Sequence, residues 1–174
     1  MDRGLVLVNT GPGKGKTTAA VGTSVRALGQ GLKVAFLQFI KNQPTGESAF
    51  MEDYAQDHPG RLYYNRLGLG FLGAEPSEDD RRKAAEALRT ATELVAGDYD
   101  LVVLDEICVA LDKGLIPLEP VIGLIKTRPA KLSLILTGRG CPPEIIDLAD
   151  TVTEMTLIKH AFKQGIEARR GIEF

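Results

Sequence analysis

The chain has 174 residues, 44% of them hydrophobic and 25% charged, as expected of one soluble globular domain long enough to bury a core. Its net charge of -2 gives no ground for nucleic acid or an anionic membrane as the main partner, and no apolar run is long enough to span a bilayer or form a leader. Cys108 and Cys141 are too far apart in sequence for a disulfide framework, which points to a reducing cytoplasm, and two histidines, His58 and His160, argue against a protein-built zinc site.

Leu5 to Val8 is an apolar run that predicts a buried strand. Lys16 to Gln30 reads as a helix with Val21, Val25 and Leu28 on its buried face, stopped by Gly29 and Gly31. A second strand is expected over Lys33–Ile40, a short helix near Ser48–Gln56 and a third strand over Leu62–Leu67. After a glycine-rich loop from Gly68 to Pro76, Ser77 opens the clearest helix. It has an acidic first turn, capping-box spacing and a stripe of Ala84, Leu88, Ala91 and Val95. Leu101–Leu104 is an aliphatic strand ending at Asp105 and Glu106. A helix over Leu118–Lys126, a strand over Leu132–Leu136, a helical turn or two over Pro143–Ala149 and a last strand over Val152–Leu157 complete the pattern.

Strands that alternate with helices and are apolar throughout imply an α/β fold, a mostly parallel sheet with helices on both faces. Ligands of such sheets bind beyond the C-terminal strand ends, so Asn9, Asp105 and Arg139 are expected to meet at one crevice. No second domain or repeat is visible, and residues 1–174 read as a single domain.

Thr10 to Thr17 nearly spell a Walker A loop, G-x-x-x-x-G-K-[ST]. Gly15-Lys16-Thr17 fit its end, while Thr10 holds the opening position and the glycine comes one residue late, at Gly11. Gly11, Gly13 and Gly15 allow the backbone to curl with its N–H groups inward, and the helix N-terminus adds partial positive charge. Lys16 would reach the outer phosphates and the Thr17 hydroxyl would hold Mg²⁺. Asp105 and Glu106 supply the matching acids, and the pattern leaves open which is the metal ligand. Arg139, between two glycines at a strand end, suits a phosphate clamp. A guanine-reading N/T-K-x-D is missing; a small-molecule kinase and a non-catalytic ATP-binding carrier remain as alternatives.

The segments T-G-P-G-K-G-K-T-T-A-A, V-V-L-D-E-I, L-T-G-R-G-C, D-L-A-D-T-V-T-E-M and K-H-A-F-K-Q-G-I-E-A-R-R-G-I-E-F together resemble the P-loop corrinoid adenosyltransferases, in order and over nearly the whole chain. The resemblance implies a P-loop NTPase-like (RecA-like) fold. It also implies transfer of the 5′-deoxyadenosyl group of ATP to the Co(I) of a reduced corrinoid, with release of tripolyphosphate, in vitamin B12 coenzyme synthesis or salvage. Phosphoryl transfer is not part of that chemistry, and the loop would grip the leaving group, with the nucleotide reversed relative to ordinary P-loop proteins.

By residue, the resemblance implies nucleotide contacts from Gly11, Pro12, Gly13, Lys14, Gly15, Lys16, Thr17, Thr18 and Arg139, with Lys41 (F-I-K) and His160 (K-H-A-F) beside them. It places Mg²⁺ (or Mn²⁺) at Thr17 and Glu106, with Asp105 adjacent, and makes Lys16, Thr17, Glu106 and Arg139 the reaction's principal groups. For His160, packing or capping is an equal alternative. Phe71 falls on the corrinoid side. Pro12 stands where relatives often have asparagine and removes one N–H from the loop. Gly73 stands where relatives can have tryptophan. Relatives can also carry a helical segment before the first strand, so a neighbouring loop or partner subunit is expected to cover the corrinoid. A homodimer and a reductase or flavodoxin-type electron donor are implied on the same basis.

Overall fold

The computed structural model describes residues 3–70 and 75–174. Six parallel strands form one sheet in the order β3-β2-β4-β5-β1-β6. They are β1 (Val6–Thr10), β2 (Val34–Gln38), β3 (Leu62–Arg66), β4 (Leu101–Asp105), β5 (Ser133–Thr137) and β6 (Thr151–Glu154). Six α-helices alternate with them: α1 (Lys16–Gly29), α2 (Gly46–Asp57), α3 (Glu78–Ala96), α4 (Ile107–Asp112), α5 (Leu118–Thr127) and α6 (Pro143–Leu148). The expected P-loop NTPase-like α/β architecture is what the chain adopts.

The period of two along each strand divides the core in half. In β2, Ala35 and Leu37 face a cluster built with α3, α4, α5 and α6, while Val34 and Phe36 face a second cluster built with α1 and α2. In β4, Val102 and Leu104 belong to the first cluster, Leu101 and Val103 to the second. Strands β2 and β4 are buried at every position, the condition that made them legible as nearly continuous apolar runs.

The α1 stripe departs from expectation: Ala20, Ser24, Ala27 and Leu28 are buried, whereas Val25 is 46% exposed. Small residues face inward because α1 lies against four strands, β1, β2, β4 and β5. In α3 the inward residues are Ala84, Ala87, Ala91, Leu94 and Val95; Leu88 is only partly buried. Helix α2 is longer than expected, because Thr45 and Ser48 form a capping box that starts it at Gly46. Ser77 and Asp80 do the same for α3. Helix α4 was not anticipated, and β6 ends at Glu154, three residues early. Cys108 and Cys141 are free thiols, yet the fold brings their side chains together; the Cys141 thiol beside it, and then burial, push the Cys108 thiol up. Phe71 and Gly73 lie outside the described residues.

Candidate active site

A crevice of about 700 Å³ opens beyond the C-terminal strand ends. The loop after β1 forms its floor. Gly11 and Gly15 hold φ of 93° and 112°, left-handed values that favour glycine. Gly15 is also the N-cap of α1 and offers no side-chain cap. Ala19 N–H is the first to find a helical acceptor, Gly15 O at 2.8 Å, so the N–H groups of Lys16, Thr17 and Thr18 have none within the helix. A helix that leaves its first turn uncapped beside a crevice is an anion site.

Gly13 does a different job from the one expected. Its N–H donates to Met155 O at 2.6 Å, and a Cβ there would stand 2.5 Å from that same oxygen. Pro12 lacks an N–H and that of Gly13 is committed to Met155, so neither residue offers a backbone donor to the crevice. Lys16 Nζ reaches back to Gly11 O (2.7 Å) and Gly13 O (2.5 Å), which pins the loop around its own lysine. Burial, then Arg139, then Lys41 lower the Lys16 pKa from its ordinary value. Three cations thus converge where an oligophosphate would offset their repulsion.

The two acids at the end of β4 separate cleanly. Asp105 is fully buried and accepts from three side chains: Thr17 Oγ1 (3.0 Å to Oδ1), Thr137 Oγ1 (2.6 Å to Oδ1) and Gln38 Nε2 (2.9 Å to Oδ2). Glu106 sits at φ 63°, the one positive φ outside glycine among the described residues. That left-handed turn sends its side chain into the crevice and costs on the order of 1–3 kcal/mol. Thr137 holds the turn by accepting the Glu106 N–H at 2.9 Å. One Glu106 oxygen pairs with Lys41 Nζ at 3.4 Å, while Oε2 is buried with no partner. Desolvation raises the Glu106 pKa despite Lys41. Thr17 lines the same crevice, and Lys41 Nζ stands 3.5 Å from its hydroxyl and 3.4 Å from Glu106 Oε1. A buried, unpaired carboxylate oxygen in a crevice with that hydroxyl fits a hard divalent cation, which takes oxygen ligands and keeps nucleotide phosphates as the rest of its shell. Among the described residues no group of three or more His, Cys, Asp or Glu could hold a metal alone.

The remaining predicted residues fall as follows. Pro12, Lys14, Thr18, Lys41, Arg139 and His160 all line the crevice; Gly11 supports the floor from behind. Lys14 is tied to the C-terminal segment through Ile172 O (3.0 Å) and Glu173 Oε1 (2.9 Å). His160 both lines the crevice and caps a 3-10 turn, Ala161–Gln164, by accepting Phe162 N–H at 3.2 Å on Nδ1. Arg139 is exposed at the rim, and its flanking glycines are required by packing: Cβ atoms at 138 and 140 would meet Val109 N at 2.8 Å and Asp112 Oδ1 at 2.5 Å. Asn9 enters only through its carbonyl, which accepts Gly138 N–H at 3.1 Å. Sequence reasoning missed Gln38, Thr137 and Met155. A glutamine ending an otherwise apolar strand was the available signal for the first.

Comparison with known proteins supplies the family. A family model described as ATP:corrinoid adenosyltransferase BtuR/CobO/CobP matches residues 2–174. The chain is similar to a corrinoid adenosyltransferase of Pseudomonas aeruginosa, 46% identical over 99% of this chain and 85% of that one. It is also similar to corrinoid adenosyltransferase CobA of Salmonella typhimurium, 39% identical over 99% and 87% of the two chains. Among solved structures, the flagellar accessory protein FlaH of Methanocaldococcus jannaschii shares the fold alone, with a TM-score of 0.58, 14% identity and coverage of 87% of this chain and 70% of that one. The chain therefore belongs to the ATP:corrinoid adenosyltransferase family.

Proposed function

We propose that the crevice binds ATP by its triphosphate and delivers the 5′-deoxyadenosyl group to the Co(I) of a reduced corrinoid, in vitamin B12 coenzyme synthesis or salvage. The observation that carries the assignment of residues is the uncapped first turn of α1 facing Lys16, Arg139 and the unpaired Glu106 oxygen. The Co(I) electron pair forms a cobalt–C5′ bond as the C5′–O bond breaks. Tripolyphosphate leaves with the bonding pair, and cobalt ends formally as Co(III). Charge grows on the departing oxygen, and the N–H groups of Lys16, Thr17 and Thr18 with the Lys16 ammonium are preorganised to meet it. Arg139 clamps the chain of phosphates from the rim, and Lys41 and Lys14 line its path.

Thr17 and Glu106 would hold Mg²⁺ (or Mn²⁺), with Asp105 anchoring Thr17 from behind; the cation supplies Lewis-acid stabilisation of phosphate charge, worth several kcal/mol. No protein base is needed, because Co(I) carries no proton to remove. Holding cobalt in line with C5′ contributes up to about 7–11 kcal/mol.

The chain works as one domain over residues 1–174 in a reducing cytoplasm, a setting that its two free thiols support. Ile158, Phe162 and Ile172 are 93%, 75% and 71% exposed, which supports a homodimer that covers the C-terminal segment. Co(I) is supplied by a reductase or flavodoxin-type donor. The test is anaerobic incubation of ATP, metal and chemically reduced corrinoid. A light-sensitive adenosylcorrinoid spectrum is expected, and ADP with phosphate as sole nucleotide products refutes the reading.

A further inference from the structure

We infer that Gln38 and Tyr64 are positioning residues for the metal side of the crevice: the Tyr64 hydroxyl sets the Gln38 amide, and that amide fixes the Asp105 carboxylate that holds Thr17. The inference rests on the crevice being an ATP–metal site. Gln38 ends β2 at 4% exposure, in register with Asp105 on one neighbouring strand and Arg66 on the other. An amide buried there is costly unless its groups are bonded. Carboxylate oxygens only accept, so Nε2 must face Asp105 Oδ2, which it meets at 2.9 Å. Oε1 is thereby turned toward β3, where the Tyr64 hydroxyl donates to it at 2.7 Å.

The relay has a fixed direction. Burial pushes the Tyr64 phenol up to about 12, so it remains a donor at every physiological pH. Its ring is braced by Phe36, with centroids 5.9 Å apart. The donations therefore run from Tyr64 on β3 through Gln38 on β2 to the Asp105 carboxylate on β4, which also accepts the hydroxyl of Thr17 on α1. Thr137 grips only Oδ1 of Asp105, the Thr17 hydroxyl is shared between Oδ1 (3.0 Å) and Oδ2 (3.2 Å), and Gln38 is the one donor from the sheet that holds Oδ2 against rotation. Neither Gln38 nor Tyr64 lines the crevice, so their action on a bound cation is through Asp105 and Thr17.

The experiment measures Mn²⁺ affinity of the protein–ATP complex by electron paramagnetic resonance without corrinoid, for wild type, Gln38→Leu, Tyr64→Phe and the double variant. Partners that orient metal ligands typically govern about 10–100-fold in affinity, so about tenfold or more is expected for Gln38→Leu. Tyr64→Phe removes one oxygen only and should lose about threefold or more. The double variant should match Gln38→Leu alone, because Tyr64 acts only through Gln38. In turnover, the metal concentration for half-maximal rate should rise while kcat at saturating metal stays near wild type. Mn²⁺ affinity of Tyr64→Phe within twofold of wild type overturns the relay, as does full multiplication of the two losses; if Gln38→Leu fails to fold, Tyr64→Phe alone decides. Wild-type adenosylation in the same preparation tests the underlying reading separately.

Discussion

Thr137→Val is the sharpest probe of how the strand ends hold the site. The substitution keeps the shape and removes one oxygen at a position 1% exposed. That oxygen donates to Asp105 Oδ1 at 2.6 Å and accepts the Glu106 N–H at 2.9 Å. A hydrogen bond to a charged group is worth about 1.5–3 kcal/mol and a neutral one about 0.5–1.5 kcal/mol, so the loss should be about 2–4.5 kcal/mol. For a domain this size each kcal/mol lowers Tm by about 2–4 °C, which predicts a fall of about 4–18 °C. Urea unfolding checks the figure with an unchanged m-value, and Thr137→Ser, which keeps the oxygen, should lose less than half as much. A Val variant within about 0.5 kcal/mol of wild type, the size of an ordinary surface substitution, would refute the role given to Thr137.

Glu106→Gln should abolish metal-dependent turnover and yet raise Tm above neutral pH in the presence of chelator. Burial raises the native pKa of Glu106, so its charged form costs stability. The gain from glutamine should therefore be absent below the ordinary carboxylate value of about 4.3 and grow as pH rises through the native value; a gain that shrinks with rising pH contradicts this. Gly13→Ala, whose Cβ would stand 2.5 Å from Met155 O, should destabilise the protein and weaken ATP binding together, read by thermal melts and nucleotide titration. Lys14→Ala should free the C-terminal segment, seen as faster proteolysis after residue 165, because the Ile172 and Glu173 contacts are lost.

The buried strands were legible because a parallel sheet covered on both faces needs unbroken apolar runs, as in Leu101–Leu104. Capped helices were legible for the same local reason, since Ser77 and its acidic turn announce α3. Helix α4 escaped notice because it is six residues long and starts at the left-handed Glu106, with no capping residue to announce it. The stripe on α1 was misjudged because close approach to four strands selects alanine and serine over valine. At the site, the residue types were readable and their division of labour was not. Asp105 and Glu106 are adjacent letters, and only strand register and one backbone turn make the first an anchor and the second a carboxylate facing the crevice. Gly13 matches a phosphate-loop pattern while its N–H serves Met155, a contact with a residue far along the chain.

The central claim is that the loop after β1 grips a leaving group while carbon is attacked. Phosphorus NMR of a reaction run to completion with ATP and Co(I) corrinoid measures this directly. Intact tripolyphosphate, formed in equal amount to the adenosylcorrinoid, is the predicted result. ADP and inorganic phosphate, with the corrinoid unalkylated, would contradict it.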